Sequence, residues 1–506
     1  MLFKQFGIVF WVSSITVFLL VLIGAIAPNA FANVAGAIFD FTTYAFGWFY
    51  LLAVLFFVLF CIALAFTKYG KVRLGSDDSR PEYSFFTWIG MLFSAGFGVG
   101  LVFWGVAEPM SHFFTPPRVT VDPLTDVAAR TAMQYSFFHW GVSQWSVFTI
   151  VGLAIGYFQF RKKEDGLIST TLNPIIGSSN RQYIRKPIDI LAVIATVMGV
   201  ATSLGLGILQ INGGLNIVFG IPNNGIVQLI IVFVLLLLYL SSTTTGLNRG
   251  IKYLSNLNLT LAIVLTLFVF IFGPTVFILN TFTLGLGDYI SNFLNTSLRL
   301  TPYQGGTWVR DWTIFYWAWA IAWSPFVGAF IARVSRGRTI REFVLGVLVV
   351  PPLIALFWVA VFGGTALHFD LFKGTDIATA VNNDITSALF TTYAQLPFTF
   401  VLSLVSILLI LTFLITSADS ATFILGTMTS NGSLHPPLFL RIIWGTLMAS
   451  IAAVLLFSSG LEGLQTASLV SALPFTVILI AICYSLFRAL KKEVFVKKPK
   501  EKPLKK

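Results

Sequence analysis

Trp317, Trp319 and Trp323 lie in one short run, 315–328, that also holds Pro325 and Gly328. Leucine or isoleucine would fill an apolar helix bundle equally well, so indoles crowded beside helix-breaking residues point to something gripped there. Aromatic faces grip cations best, and with so little charge nearby to pair, the expected guest is a small quaternary ammonium. A second aromatic group, Trp140, Trp145 and Phe148, lies upstream. On one continuous helix Trp145 and Phe148 share a face, while Trp140 sits about 140° from Trp145. Trp319 and Trp323 also share a face, whereas Trp317 points elsewhere; Trp317 and Trp140 fit an interfacial aromatic belt as well as a binding role. A third kind of chemistry is offered by Thr416 and Ser417. Adjacent hydroxyls opposite freed backbone carbonyls make an all-oxygen site of the kind sodium accepts. The alternative, in which both hydroxyls bond the carbonyls one turn back, stays open on sequence alone.

Other chemistries lack their residues. Cys61 and Cys483 show neither pairing nor metal spacing, and His112, His139, His368 and His435 stand apart, without carboxylate or cysteine companions at ligand spacing. No metal beyond sodium and no organic cofactor is expected. Paired carboxylates or a nucleophile with its base are missing from the apolar segments, so the chain does not read as an enzyme. Positions 94–100 carry no charge and Glu108 falls beyond them, which favours sodium over proton coupling. Asp419 is expected to line an exit path or to face the cytosol.

The elements that must position these residues are membrane helices. With 506 residues, 57% hydrophobic and 10% charged, the chain has too few polar side chains to cover a water-facing surface. About twelve segments are long enough to cross roughly 30 Å of hydrocarbon: near 8–27, 46–66, 84–106, 135–158, 187–211, 226–242, 258–279, 312–333, 342–363, 398–419, 440–458 and 464–488. With both termini inside, 27 of the 32 basic residues fall on the inner side, as the positive-inside rule requires. The net charge of +12 is therefore a topology signal, and a nucleic-acid partner is not expected. The first span reads as a retained helix.

Two spans carry backbone-breaking residues: the third, with Gly96, Gly98 and Gly100, and the eighth, with Pro325 and Gly328. Unpaired backbone at membrane depth survives only where it lines a cavity or binds something. A matched pair of interrupted spans points to a carrier built from inverted repeats. Five spans counted from each then fill the chain after two leading helices.

Four stretches resemble one family. Ser-Ala-Gly-Phe-Gly-Val-Gly-Leu-Val-Phe-Trp-Gly-Val-Ala-Glu-Pro (94–109), His-Trp-Gly-x-x-x-Trp (139–145), the run from Trp323 to Phe343 beginning Trp-Ser-Pro-Phe-Val-Gly, and Thr-Ser-Ala-Asp-Ser (416–420) are similar to the betaine/choline/carnitine transporters. The sodium-coupled glycine betaine carriers of Gram-positive bacteria are nearest in character. The resemblance implies an all-α membrane protein: two N-terminal helices (1–83), a first five-helix repeat with an outer connecting helix (84–311), a second, inverted five-helix repeat (312–488) and a basic cytoplasmic tail (489–506), often assembled as a homotrimer. It implies that Trp140, Trp145, Phe148, Trp319 and Trp323 box the trimethylammonium group while the Gly96, Gly98 and Gly100 backbone meets the carboxylate. Ser94, Phe97, Phe413, Thr416 and Ser417 would form one sodium site, and Thr202, Ser203 and Phe326 a second. Proton-coupled choline relatives tend to carry Asp where this chain has Gly100.

Three positions depart from the betaine pattern: Ala320 stands where a second indole is usual, Phe148 where an aromatic hydroxyl is common, and Phe97 where Met is usual. One indole fewer removes about 1 kcal/mol of cation–π attraction and widens the box. The expected function is sodium-coupled import of glycine betaine across the bacterial plasma membrane, stimulated by osmotic stress, with choline, carnitine or ectoine as alternative solutes. The tail, Lys491–Lys506, with eight lysines against Glu493 and Glu501, is expected to contact anionic lipid headgroups, each lysine adding about 1 kcal/mol near that surface.

Overall fold

A computed structural model describes residues 6–96, 98–177, 182–245, 248–433 and 435–495. Phe97, the start of the chain and the tail beyond residue 495 lie outside the described residues, as do the side chains of 93–96. Among the described residues the structure is helical, apart from one isolated bridge between Arg73 and Thr339. A chain this apolar can satisfy its backbone in lipid only within each segment.

The long helices are α1 (Ile8–Ile26), α2 (Pro28–Phe66), α3 (Phe85–Gly96), α4 (Val99–Phe114), α5 (Asp126–Trp140), α6 (Val142–Gly156), α7 (Gln182–Phe219), α8 (Gly225–Thr245), α9 (Asn248–Phe272), α10 (Thr275–Ser291), α11 (Phe315–Val334), α12 (Ile340–Lys373), α13 (Thr399–Thr429) and α14 (Leu438–Phe495). Among the described residues 10 helical stretches are long and apolar enough to cross a membrane. Two further crossings come from local geometry. Helix α14 turns sharply at Gly460, whose φ of 58° and ψ of −131° divide it into two, and α3 with α4 form one interrupted crossing. The result is twelve.

Burial sorts these helices. The stretch containing α5 and α6 is 94% buried and that containing α11 is 89% buried, against 22% for α8 and 33% for α1. The helices richest in tryptophan are thus the interior, wrapped by helices whose Leu, Ile and Phe side chains face outward.

The interruptions fall only partly where expected. Helix α3 ends at Gly96 and α4 starts at Val99, with Gly98 extended at φ −130°, ψ 179°. The fourth crossing, read as continuous from sequence, is broken at Gly141, where φ is −83° and ψ −156°. The amide of Val142, freed there, donates to the Tyr289 hydroxyl of α10 at 2.9 Å. A Cβ at position 141 would lie 2.4 Å from that oxygen, so only glycine admits this cap.

The eighth crossing is not broken: α11 runs through Pro325. Proline removes the amide that would bond the Ile321 carbonyl, and the Ser324 hydroxyl donates to that carbonyl instead, at 2.8 Å. Gly328 serves close packing, since a Cβ there would lie 2.6 Å from Val151 Cγ1 and 2.9 Å from the Gly152 nitrogen on α6. The irregularity of this crossing sits at its start, as a π-helical turn over Arg310–Ile314.

The 323–343 motif ends in a knot of backbone bonds: Leu74 donates to the Arg338 carbonyl at 2.8 Å and Gly337 to the Leu74 carbonyl at 2.7 Å. At the far end of α14, Glu493 accepts from Tyr157 at 2.6 Å, from Lys162 at 2.8 Å and from Arg161.

Candidate functional site

Five rings singled out from sequence form one connected cluster. Trp319 and Trp323, one turn apart on α11, are parallel within 16° at 6.1 Å. Trp140, the last residue of α5, meets Trp319 edge-on at 6.2 Å. Phe148 of α6 meets Trp323 edge-on at 5.9 Å, and Trp145 meets Phe148 at 5.5 Å. The break at Gly141 makes this possible: it re-aims α6 relative to α5, so the 140° separation expected on one helix does not apply. Trp317 packs instead on Phe138 at 5.3 Å, in the scaffold.

The glycines of α4 close one side. A Cβ on Gly100 would lie 2.2 Å from Trp319 Cη2, and one on Gly98 would lie 3.6 Å from Trp323 Cη2. At Gly100 only a bare backbone admits so close an indole, whereas a Cβ on Gly98 would make ordinary contact. Trp319 is flanked along α11 by two parallel rings, Trp323 and Phe315, the latter at 5.9 Å, and its buried Nε1 has no hydrogen-bond partner among the described residues. Trp323 is half-buried and also touches Phe326 at 6.1 Å.

Next to this cluster lies a charged centre that sequence reasoning missed. Glu108 is fully buried, and each carboxylate oxygen is held twice. Oε1 lies 2.6 Å from His139 Nδ1 and 3.3 Å from His112 Nε2; Oε2 accepts from Trp140 Nε1 at 2.9 Å and from the Tyr316 hydroxyl. His139 Nε2 in turn lies 2.9 Å from Thr313 Oγ1. This overturns the reading of His112 and His139 as lacking a carboxylate companion. The signal was present, because Glu108 and His112 stand one helical turn apart; the tie to His139 and Tyr316 required the fold. Ligand atoms of Glu108, His112 and His139 lie within 4.8 Å of one another, close enough to hold a metal ion, although the four donors already on the carboxylate equally make it a hydrogen-bonded centre.

The oxygen-rich positions fall in two places. Thr416 Oγ1 donates toward the carbonyls of Thr412 and Phe413, both at 3.1 Å, and accepts from Asn258 at 3.2 Å. Ser417 follows, half-buried, and Phe413 is buried. Of their expected partners, Phe97 lies outside the described residues and the Ser94 side chain is not described. The start of α4 does approach this helix, because a Cβ on Gly207 would lie 2.8 Å from both Val99 Cγ1 and Leu414 Cδ1.

Thr202 is the more oxygen-rich position. Its Oγ1 lies 2.9 Å from the carbonyls of Met198 and Leu464 and 2.7 Å from Ser468 Oγ, so the part of α14 after Gly460 supplies oxygen partners that no local motif advertised. Ser203 Oγ donates to the Gly199 carbonyl at 3.3 Å. Gly199 itself abuts the cluster, a Cβ there lying 2.8 Å from the Trp323 amide nitrogen. Asp419 does not face solvent: it is 1% exposed, accepts from Thr243 and pairs with Arg441 at 3.2 Å.

Residues 8–495 match the family described as BCCT, betaine/carnitine/choline family transporter. An ectoine/hydroxyectoine transporter of Virgibacillus pantothenticus is 66% identical over 484 residues, covering 96% of each chain. The glycine betaine transporter OpuD of Bacillus subtilis is 48% identical over 494 residues, 97% of this chain and 95% of that one. An osmo-dependent choline transporter of Acinetobacter baylyi is 37% identical over 493 residues, 96% of this chain and 71% of that one. With the match running through the interrupted crossings and the tryptophan helix alike, the chain belongs to the betaine/carnitine/choline transporter family and is a multi-pass membrane transporter, not an enzyme.

Proposed function

We propose that this transporter imports zwitterionic compatible solutes with sodium, taking the cyclic amidinium zwitterions ectoine and hydroxyectoine first and glycine betaine second. The observation that carries the proposal is the joined ring set Trp140–Trp319–Trp323–Phe148–Trp145 with the Gly98 and Gly100 backbone against it. Rings attract the delocalised cation, and amides at the start of α4 suit a carboxylate. An amidinium ring is flat and a trimethylammonium is round. Parallel indoles on α11, with Ala320 where relatives place a further ring and Phe148 where they place a hydroxyl, suit a flat guest. The 66% identity to an ectoine/hydroxyectoine transporter supports this order; the 48% identity to a glycine betaine transporter keeps betaine as the second reading.

Sodium would bind at Thr416, Ser417, Phe413, Ser94 and Phe97, and at Thr202, Ser203 and Phe326, where we add Ser468 and the Leu464 carbonyl. Both termini inside, repeats over 84–311 and 312–488, a homotrimer and a lipid-contacting tail belong to the same proposal. Transport would proceed by one bundle rocking against the other around the ring cluster. Proteoliposomes loaded without sodium should take up labelled ectoine when an inward sodium gradient is imposed, and betaine should compete more weakly. Uptake indifferent to the gradient removes the coupling claim, and stronger competition by betaine inverts the solute order.

A further inference from the structure

Glu108 brings a full negative charge into the most buried part of the protein, where an unpaired carboxylate is strongly unfavourable. Among the described residues no lysine or arginine pairs with it; its partners are two imidazoles, an indole and a phenol. These come from three helices: His112 from α4 itself, His139 and Trp140 from α5, and Tyr316 from α11. Two of them also touch the ring cluster. Trp140 is edge-on to Trp319 at 6.2 Å, and Tyr316 lies 5.7 Å from Trp140 and 6.2 Å from Trp319.

Trp140 is held by edge-on contacts with Trp319 and Tyr316 and by one side-chain hydrogen bond. It is the last residue of α5, followed at once by the break at Gly141, so its backbone sits at a joint. The hydrogen bond from Nε1 to Glu108 Oε2 fixes the rotation of the ring about its own side chain, and therefore which edge or face Trp319 and any solute meet. The imidazoles hold the other carboxylate oxygen, and Thr313 holds His139 in turn, so the carboxylate is itself immobile.

We propose that Glu108 is a positioning residue for solute recognition: it acts through the Trp140 N–H and the Tyr316 hydroxyl to set the wall of the ring cluster formed by Trp140. This rests on the ring cluster being the solute site. A charge-assisted hydrogen bond is worth enough that its loss weakens solute binding about tenfold, provided that the ring is then free to turn.

The test is a double-mutant cycle of Glu108→Gln and Trp140→Phe in proteoliposomes, with KM and Vmax measured for whichever solute of the ectoine, betaine, choline and carnitine panel the wild type takes up. Both single variants should raise KM about tenfold with Vmax within about twofold, and the double variant should be no worse than the worse single, because the charge lost in Glu108→Gln acts through the N–H that Trp140→Phe removes. In parallel, 5-fluorotryptophan labelling with fluorine NMR should show the Trp140 resonance, assigned by its loss in Trp140→Phe, displaced in Glu108→Gln. Additive effects on KM, an unchanged KM in Glu108→Gln, or an unmoved Trp140 resonance each overturn the proposal; a fall in Vmax alone assigns Glu108 to structure and overturns it too. If Glu108→Gln fails to reach the membrane, Glu108→Asp, which keeps the charge and withdraws it by one methylene from the Trp140 N–H, takes its place in the cycle with the same expected outcomes. A solute other than ectoine emerging from the panel would refute the solute order while leaving the cycle fully readable.

Discussion

At the scale of single residues, polarity is placed sparingly and gathers at a few positions, Glu108, Thr202 and Thr416 among them. Trp319 and Trp323 present a parallel pair, and Ala320, fully buried beside them, is the small residue at which the proposed preference for a flat solute is set. Ala320→Trp should therefore shift selectivity toward the round cation, lowering ectoine uptake about tenfold relative to betaine, a difference of about 1.4 kcal/mol; competition of the two labelled solutes in one vesicle preparation measures it. Thr202 offers the clearest oxygen cluster, with two carbonyls and the Ser468 hydroxyl within 2.9 Å. Thr202→Val keeps the shape and deletes the hydroxyl. The half-saturating sodium concentration should rise by about tenfold while solute affinity at saturating sodium changes little. An unchanged sodium dependence would remove Thr202 from the coupling site.

At the scale of elements, two irregular crossings each place a side-chain hydroxyl on a freed backbone group. The break at Gly141 is capped by Tyr289 from α10, and the carbonyl orphaned by Pro325 is taken by Ser324 in the same turn. A hydroxyl caps the opened crossing, and another takes the carbonyl that Pro325 leaves free in the continuous one. Helix α10 is further fixed to α5 by a bidentate pair, Arg130 Nε and Nη2 on Asp288 at 2.7 and 2.8 Å. Tyr289→Phe should leave the Val142 amide buried and unpaired, costing about 1–3 kcal/mol. A lower unfolding temperature in detergent with a raised solute KM is the expected result, and an unaltered KM would show that the α5–α6 joint does not depend on this cap.

At the scale of the whole molecule, the crossings are arranged so that the most tryptophan-rich helices are the most buried and the most uniformly aliphatic ones face outward. The far end of α14 is tied to the segment after α6 through Glu493, which is partly exposed and holds Tyr157, Arg161 and Lys162 together. Glu493→Gln keeps the shape and drops the charge, and should reduce stability by about 1 kcal/mol at low ionic strength, less at 1 M salt where the Debye length falls to about 3 Å. Thermal unfolding of both proteins across a salt series checks this; a salt-independent difference would mean that packing, not charge, holds the joint.

Much of this was legible in one dimension. Hydropathy and the distribution of basic residues yield an all-helical chain of twelve crossings, because the cost of unsatisfied backbone in lipid acts segment by segment. The ring-bearing positions and the Gly96–Gly100 interruption could likewise be read from residue types alone. The fourth-crossing break, the continuity of α11 through Pro325, the burial of Asp419 and the Thr202–Ser468 pairing could not. Three of these depend on a partner that another helix delivers, Tyr289 to Gly141, Arg441 to Asp419 and Ser468 to Thr202, while the continuity through Pro325 rests on a local bond from Ser324. Glu108 shows the reason most plainly. Its donors stand 4, 31, 32 and 208 residues away along the chain, and only the first separation leaves a mark on a helical repeat. Local pattern tells where a helix crosses; which carboxylate meets which indole is settled when the helices pack.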